Sequence, residues 1–264
     1  MSKQNPSGRK AGAKPGASGR STGATVVGAA YRGNGSGRGP LAAGIVVVLA
    51  LAVVIGGYVY QHQRSAPVAG GVVAAQGVPV STDGGAILVG AADAPVTLDV
   101  FEDAMCPVCA QFESRDGQEV ATALEDGSVA VRYHLLNFLN ASSASGDYST
   151  RAAAAALAVA RDGDGSALPE FHSALFSSDV QPRERGSSDL SNAQLADLAA
   201  TFGVSQEAQD QISSGALVSE AAGAATASEQ ALTATGNQVA TPTVLDGATK
   251  VEINDPSWLS SLTG

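Results

Sequence analysis

The sequence predicts an α/β domain with a helical insertion, carried behind a basic tail and a single apolar span. Three observations predict it. Apolar residues alternate in "APVTLDVFED" and again in "SVAVRYHLL". The stretch between them begins and ends with helix-boundary residues, and strand, helix, strand with a helical crossover argues for parallel pairing. A long Ala-rich helical block then separates these elements from a late strand, turn and strand.

Residues 1–40 are Gly, Ser, Ala and Lys/Arg with scattered Pro. Such a composition cannot bury enough apolar surface to offset the entropy of ordering it, so a disordered cytoplasmic tail is expected. Residues 41–60, "LAAGIVVVLALAVVIGGYVY", carry no charge. As a helix rising about 1.5 Å per residue they span roughly the 30 Å hydrocarbon core of a bilayer. The basic residues Lys3, Arg9, Lys10, Lys14, Arg20, Arg32 and Arg38 precede this run and no acid occurs before Asp83. The positive-inside bias therefore places the N-terminus in the cytoplasm and the following domain outside, held to the cell membrane by the Leu41–Tyr60 helix. A cleaved signal peptide is the alternative, but the leader is long for one and the apolar run exceeds the usual length. The remaining bases face all 25 acids, which disfavours nucleic acid as a partner.

Residues 61–77 read as a flexible tether rich in Gly, Ala, Pro and Gln, and residues 78–264 as the folded domain, its helical insertion covering about 145–235. "VPVSTDGGAILVG" holds two short apolar runs around Asp83-Gly84-Gly85, a hairpin signal. Val96, Leu98 and Val100 alternate with Thr97, Asp99 and Phe101, so this strand has two partly apolar faces and suits a central position. Pro107 suits a first helical position and Gly127 the left-handed residue that ends a helix. In the insertion, "STRAAAAALAVAR" is a strong helix former, "LPEFHSALF" a shorter one, and Leu195, Leu198, Ala199 and Phe202 have helical spacing. Two more helices are expected between Ser205 and Thr235. "VATPTVLDGATKVEI" reads as strand, Asp246-Gly247 turn and strand. "DPSWLSSLTG" reads as a closing helix capped by Asp255 with Pro256 at its start and Trp258 as its core anchor.

The chain has two cysteines, Cys106 and Cys109, separated by Pro107 and Val108 at the expected strand-to-helix junction. A structural clasp over so short a loop contributes only about 2 kcal/mol. A closed zinc site needs four ligands, whereas His62, His134 and His172 are isolated in the sequence and read as packing or surface residues. A redox role accounts for more: the N–H groups and dipole of a helix N-terminus stabilise a thiolate, making Cys106 the attacking or attacked sulfur and Cys109 the resolving one. Met105 and Val108 are candidates for either client contact or packing. "DGDGS" at 162–166 lacks the Gly and Glu of a calcium loop and reads as a helix-ending turn. Pro242, in "TPT", on its own would pass for a strand-start proline.

With "FEDAMCPVCAQF" and "TPT" at 241–243, the chain resembles the DsbA-like branch of the thioredoxin superfamily over roughly residues 78–264. The resemblance implies a thioredoxin-like fold with a helical insertion and a cofactor-free protein thiol-disulfide oxidoreductase. It implies a cis Pro242 packed against the cysteines, and a Thr241 that offers backbone hydrogen bonds to an extended client. It further implies exported, thiol-bearing proteins as substrates and reoxidation by a membrane oxidase of the DsbB or vitamin K epoxide reductase type. There are departures. Where many relatives carry a buried acid six residues before the first cysteine, this chain has Val100, and Asp99, Glu102 and Asp103 are the candidate accessory acids. Asp99 should point to the strand face opposite Val100, and Asp103 suits a turn or cap. Val108 stands where the best-known oxidases have histidine, so the first cysteine is expected to be less acidic than theirs. Two alternatives stay open: a reductase or isomerase using the same pair, and a binding module in which the groove works without turnover.

Overall fold

The structure, a computed structural model, describes residues 75–264. The expected basic tail, the Leu41–Tyr60 span and most of the tether lie outside the described residues. Among the described residues no helix is long and apolar enough to cross a membrane.

A hairpin of β1 (Val80–Asp83) and β2 (Ala86–Val89) turns through Gly84 and Gly85, both at positive φ. Strand β3 (Val96–Glu102) leads into helix α1 (Pro107–Glu125), and β4 (Val129–Leu135) returns beside β3. The insertion supplies α2 (Tyr148–Ala160), α3 (Leu168–Leu175), α4 (Asn192–Ala200), α5 (Gln206–Ser214) and α6 (Val218–Ala234). Strands β5 (Thr243–Asp246) and β6 (Thr249–Lys250) and a last turn of helix, α7 (Ser260–Thr263), complete the order. The sheet runs β1-β2-β4-β3-β5-β6.

The position of β3 follows from its side chains. Strand side chains alternate between faces, and here both faces are covered. Leu98 and Val100 join Val131, Tyr133 and the α1 residues Phe112, Val120 and Leu124 in the main core. Phe101 joins Leu136, Leu245 and the α6 residue Leu232 in a smaller cluster. Glu102 shares parity with Leu98 and Val100, so the alternation that makes β3 central also drives a carboxyl group into the interior. It is wholly buried.

Register then brings distant segments together. Strand β3 pairs in parallel with β4 from Val96↔Val129 to Glu102↔Leu135, and antiparallel with β5 from Leu98↔Asp246 to Phe101↔Thr243. Continuing the β3–β5 register by two residues carries Thr241 opposite Asp103. The end of β3, the start of α1 and the entry to β5 therefore meet at one place.

Helix α1 starts with Cys106 at its N-cap and Pro107 at its first position, and the chain leaves it through Gly127 at φ +75°. Helix α2 is buried at every position from Tyr148 to Ala160. Its run of alanines supplies helix propensity and lets α3, α4, α5 and α6 all pack against it. Helix α4 is held at its start by a capping box, Ser191 with Gln194, and α5 by the Ser205 hydroxyl.

The C-terminus departs from expectation. Asp255 accepts from the Ser257 N–H at 2.9 Å and the Ser257 hydroxyl at 2.8 Å. Those bonds close a local turn, and helix begins only at Ser260. Trp258 is nonetheless an anchor, buried with its ring centroid 6.1 Å from that of Phe112 on α1.

Gly90, just after β2, sits at φ +110°, and a Cβ there would lie 2.8 Å from the backbone Cα of Ala130 on β4. Neither the conformation nor the space suits a side chain. Gly90→Ala is expected to cost about 2–3 kcal/mol, from the strained φ together with the clash. A urea unfolding midpoint equal to that of the parent would refute the assignment.

Candidate active site

The residues of the junction are fixed by one carboxylate. Asp103 Oδ1 accepts from the Met105 N–H at 2.9 Å and from the Ser149 hydroxyl at 2.6 Å, and Oδ2 accepts from the Leu139 N–H at 3.0 Å. The Cys106 N–H donates to the Asp103 carbonyl at 2.8 Å. Asp103 thus ties the turn before α1 to α2 and to the loop after β4. Burial pushes its carboxyl up to about 6 although all three donors pull the other way.

Both cysteines are free thiols. Cys106 is 6% exposed and Cys109, one turn into α1, is 0% exposed. The Thr241–Pro242 bond is cis, and Cys106 Sγ donates to the Thr241 carbonyl at 3.4 Å. Gln181, in the segment after α3, donates its side-chain amide to the Cys106 carbonyl at 3.0 Å. Nothing in the sequence marked that contact, since it joins residues far apart through a loop. Val108 and Phe138 are the exposed large hydrophobic residues among those described, whereas Met105 is fully buried. The client-contact role open to both Met105 and Val108 thus has an exposed side chain only at Val108.

The two thiols are driven apart electrostatically. The hydrogen bond from the Cys109 thiol lowers Cys106 most; burial opposes it, and the Thr241 side chain and the N–H groups of Cys109 and Val108 bring Cys106 down to about 6. The shift is made by neutral donors rather than by a cation. Burial, the same sulfur–sulfur contact and the Glu102 carboxylate push Cys109 far up.

The consequence for reactivity can be estimated. At pH 7 a thiol of pKa about 6 is roughly 90% thiolate, against about 1% for one at 9, but nucleophilicity falls with pKa, so the net gain is only about fourfold. At pH 5 the same arithmetic gives about 40-fold. Cys106 is therefore expected to alkylate with a pH profile inflecting near 6, and most conspicuously faster than an ordinary thiol in acid, while Cys109 stays inert. Iodoacetamide rates resolved by mass spectrometry check this; an inflection near 9 would contradict it.

The candidate acids have three different fates. Asp99 lies on the other sheet face, 2.9 Å from Arg132 Nη1 and 2.9 Å from His134 Nε2. Burial raises it, but those hydrogen bonds hold it below its ordinary value, and it does not approach the cysteines. Asp103 organises the turn. Glu102 is wholly buried, its Oε2 3.0 Å from Nε2 of His172 and its Oε1 without a protein partner, and its charge is felt at both cysteines. Burial, then the charge of Cys106, raises Glu102 well above its usual range. His172 presents its other ring nitrogen, Nδ1, to Glu113 Oε2 at 3.8 Å. Sequence reading assigned His172 to packing or the surface; it is buried, with its ring beside those of Tyr133 and Phe176. Among the described residues Glu102, Glu113 and His172 form the group close enough to hold a metal ion, with ligand atoms within 4.8 Å of one another.

A family profile described as Thioredoxin matches residues 82–262. The chain is 44% identical over 178 residues to the serine/threonine-protein kinase PknE of Mycobacterium tuberculosis, a match covering 67% of this chain and 31% of that protein. It thus spans about a third of the length of the curated relatives it matches. Among solved structures, it is similar to MdbA, a thiol-disulfide oxidoreductase from Corynebacterium diphtheriae, with a TM-score of 0.63, 27% identity, and coverage of 71% of this chain and 94% of that one. It is also similar to the reduced form of the disulfide bond oxidoreductase DsbG of Mycobacterium tuberculosis, with a TM-score of 0.57, 34% identity, and coverage of 67% and 85%.

Proposed function

The chain belongs to the thioredoxin family, and from that premise we propose that it is a membrane-anchored, extracytoplasmic thiol-disulfide oxidoreductase that introduces disulfides into exported proteins through Cys106 and Cys109. One observation carries the reading. At a helix N-terminus beside the Thr241 carbonyl, a thiol lowered to about 6 stands one turn from a second thiol pushed far up.

In the oxidised enzyme a client thiolate attacks Sγ of Cys106. The Cys106–Cys109 bond breaks, a client–Cys106 bond forms, and Cys109 leaves with the electron pair and takes a proton. The client's second thiolate then attacks the client sulfur of the mixed disulfide. Cys106 departs as a thiolate, so two electrons have passed from the client dithiol to the enzyme. A thiol of low pKa is a good leaving group, and stabilising it stabilises the reduced enzyme, which makes the disulfide oxidising. Exposed Val108 and Phe138 and the Thr241 backbone offer an extended client apolar and hydrogen-bonding contacts. The sequence supports the setting: Leu41–Tyr60 would anchor the domain outside the membrane, within reach of a DsbB-like or vitamin K epoxide reductase-like oxidase. Similarity to part of a kinase carries no kinase chemistry to this chain.

The test is the reduction potential, measured by equilibration against glutathione buffers and thiol alkylation. A value well above that of thioredoxin, about −270 mV, is expected. A value at or below it would replace the oxidase with a reductase.

A further inference from the structure

We propose that His172 and Glu113 extend Glu102 into a proton relay that connects Cys109 to the solvent of the groove beside the active site. The inference rests on the oxidoreductase reading and assigns the path by which the buried thiol gains and loses its proton.

The problem is set by burial. Cys109 and Glu102 are both 0% exposed, so water does not reach either directly. The protonation of Cys109 must run through protein groups. Glu102 has one oxygen on His172 and the other without a protein partner. An unpartnered buried carboxyl oxygen is costly unless it is used.

His172 is the link. It turns Nε2 to Glu102 at 3.0 Å and Nδ1 to Glu113 at 3.8 Å. A neutral imidazole can accept at one nitrogen while it releases at the other. As arranged, His172 turns a different nitrogen to each carboxylate, so an ion bound at one nitrogen would have to draw the other carboxylate across to it. Between His172, Glu113 and Tyr133 lies a cavity of ≈ 30 Å³, room for one water. Glu113 also lines the open groove formed with Pro107, Gln111, Ser114 and Gln181. Its side chain is 11% exposed, so it is the member of the three that meets solvent.

The transfer balances as follows. When a client thiolate opens the disulfide, Cys109 Sγ leaves as a thiolate and receives the Glu102 proton. Glu102 is restored by the proton on His172 Nε2, His172 takes one at Nδ1 from Glu113, and water in the groove returns a proton to Glu113. Oxidation runs the sequence backwards. Glu113 and His172 act through Glu102 and are positioning residues for its proton. The charged and titratable groups around the relay are Cys106, Cys109, Glu113 and Asp116 from α1, Glu102 from β3, Tyr133 from β4 and His172 from α3. Burial first, then Glu102 and Asp116, push Glu113 up to about 8, with His172 opposing, while burial holds His172 below its usual value. The carboxyl therefore still carries a proton to give near neutrality and loses it above about 8.

The test uses the full-length oxidised protein, reduced by glutathione between about pH 5 and 9, with acid quenching and alkylation. Rates are divided by the glutathione thiolate fraction. The parent is expected to slow above pH 8 as Glu113 ionises. Glu113→Gln and His172→Gln should be roughly tenfold slower at neutral pH and lack that inflection. Glu113→Asp should recover most of the rate, and added imidazole should speed the His172 variant. Circular dichroism checks that each variant is folded, and Glu113→Gln, at the groove rim, serves if His172→Gln is not. Profiles that superimpose on the parent's would overturn the relay while leaving the oxidoreductase intact. A parent rate abolished by EDTA and restored by Zn²⁺ would replace the relay with a cation site. A Cys106→Ala protein that still converts glutathione would remove the underlying reading instead.

Discussion

Cys106→Ser is expected to lose disulfide transfer by at least about 10³-fold, because a hydroxyl can neither form the mixed disulfide nor leave as a stabilised anion. Cys109→Ser has a different expected outcome. Cys106, left as a lone thiolate, attacks a client disulfide and one client sulfur leaves as a thiolate; without Cys109 the Cys106–client bond is not resolved from within the enzyme, so clients accumulate covalently on it. The pair of results separates the roles: Cys106 faces the Thr241 carbonyl at 3.4 Å and is lowered to about 6, whereas Cys109 is fully buried and pushed up. Non-reducing electrophoresis of each variant with a disulfide-bearing model client checks it. Trapping at Cys109 in the Cys106→Ser protein would reverse the assignment.

The second large effect is on stability. Asp103→Ala should destabilise the fold by about 4 kcal/mol, since it orphans the Met105 and Leu139 N–H groups and the Ser149 hydroxyl, each worth about 1–3 kcal/mol when buried without a partner. That is a large part of the roughly 5–15 kcal/mol of a typical domain. Asp103→Asn should cost less, as one amide oxygen still accepts. The pH dependence has a definite sign. A carboxyl whose folded pKa is raised contributes stability that is complete below its unfolded value and is lost as pH rises through the folded one. Asp103, raised from 3.8 to about 6, therefore weakens the parent between about pH 4 and 6, and this loss should vanish in Asp103→Asn. Cys106, lowered from 9.0 to about 6 in the dithiol, acts in the opposite sense: its contribution is present above about 9 and is lost as pH falls through 6. Urea titrations across pH, in both redox forms, read the two contributions separately.

Much of this site was legible because it depends on local signals. The alternation around Leu98 and Val100, the proline and glycine bounding α1, and the Thr-Pro before β5 each act within a few residues of themselves. The meeting of Cys106 with Thr241 was legible only through resemblance, since it depends on β3–β5 register across more than 130 residues. Glu102 was one candidate acid among three. Its period-two relation to Leu98 and Val100 was the signal that separates it from Asp99, which takes the opposite face with Arg132 and His134. The placement of His172 between Glu102 and Glu113 was not legible, because a histidine on a short amphipathic helix gives no sign of which carboxylates it will face. The late start of α7 was missed because Asp255 and Pro256 serve a turn as well as they serve a helix.

The complete burial of α2 has a consequence for cooperativity. A helix with no solvent face cannot detach with its insertion while the sheet stays folded, because Ser149 is bonded to Asp103 on one side and α3 to α6 close over the helix on the other. The insertion and the thioredoxin core therefore behave as a single unit of opening rather than as a lid on a base. In hydrogen exchange, the amides of α2 should be among the slowest of the domain and should exchange together with those of β3.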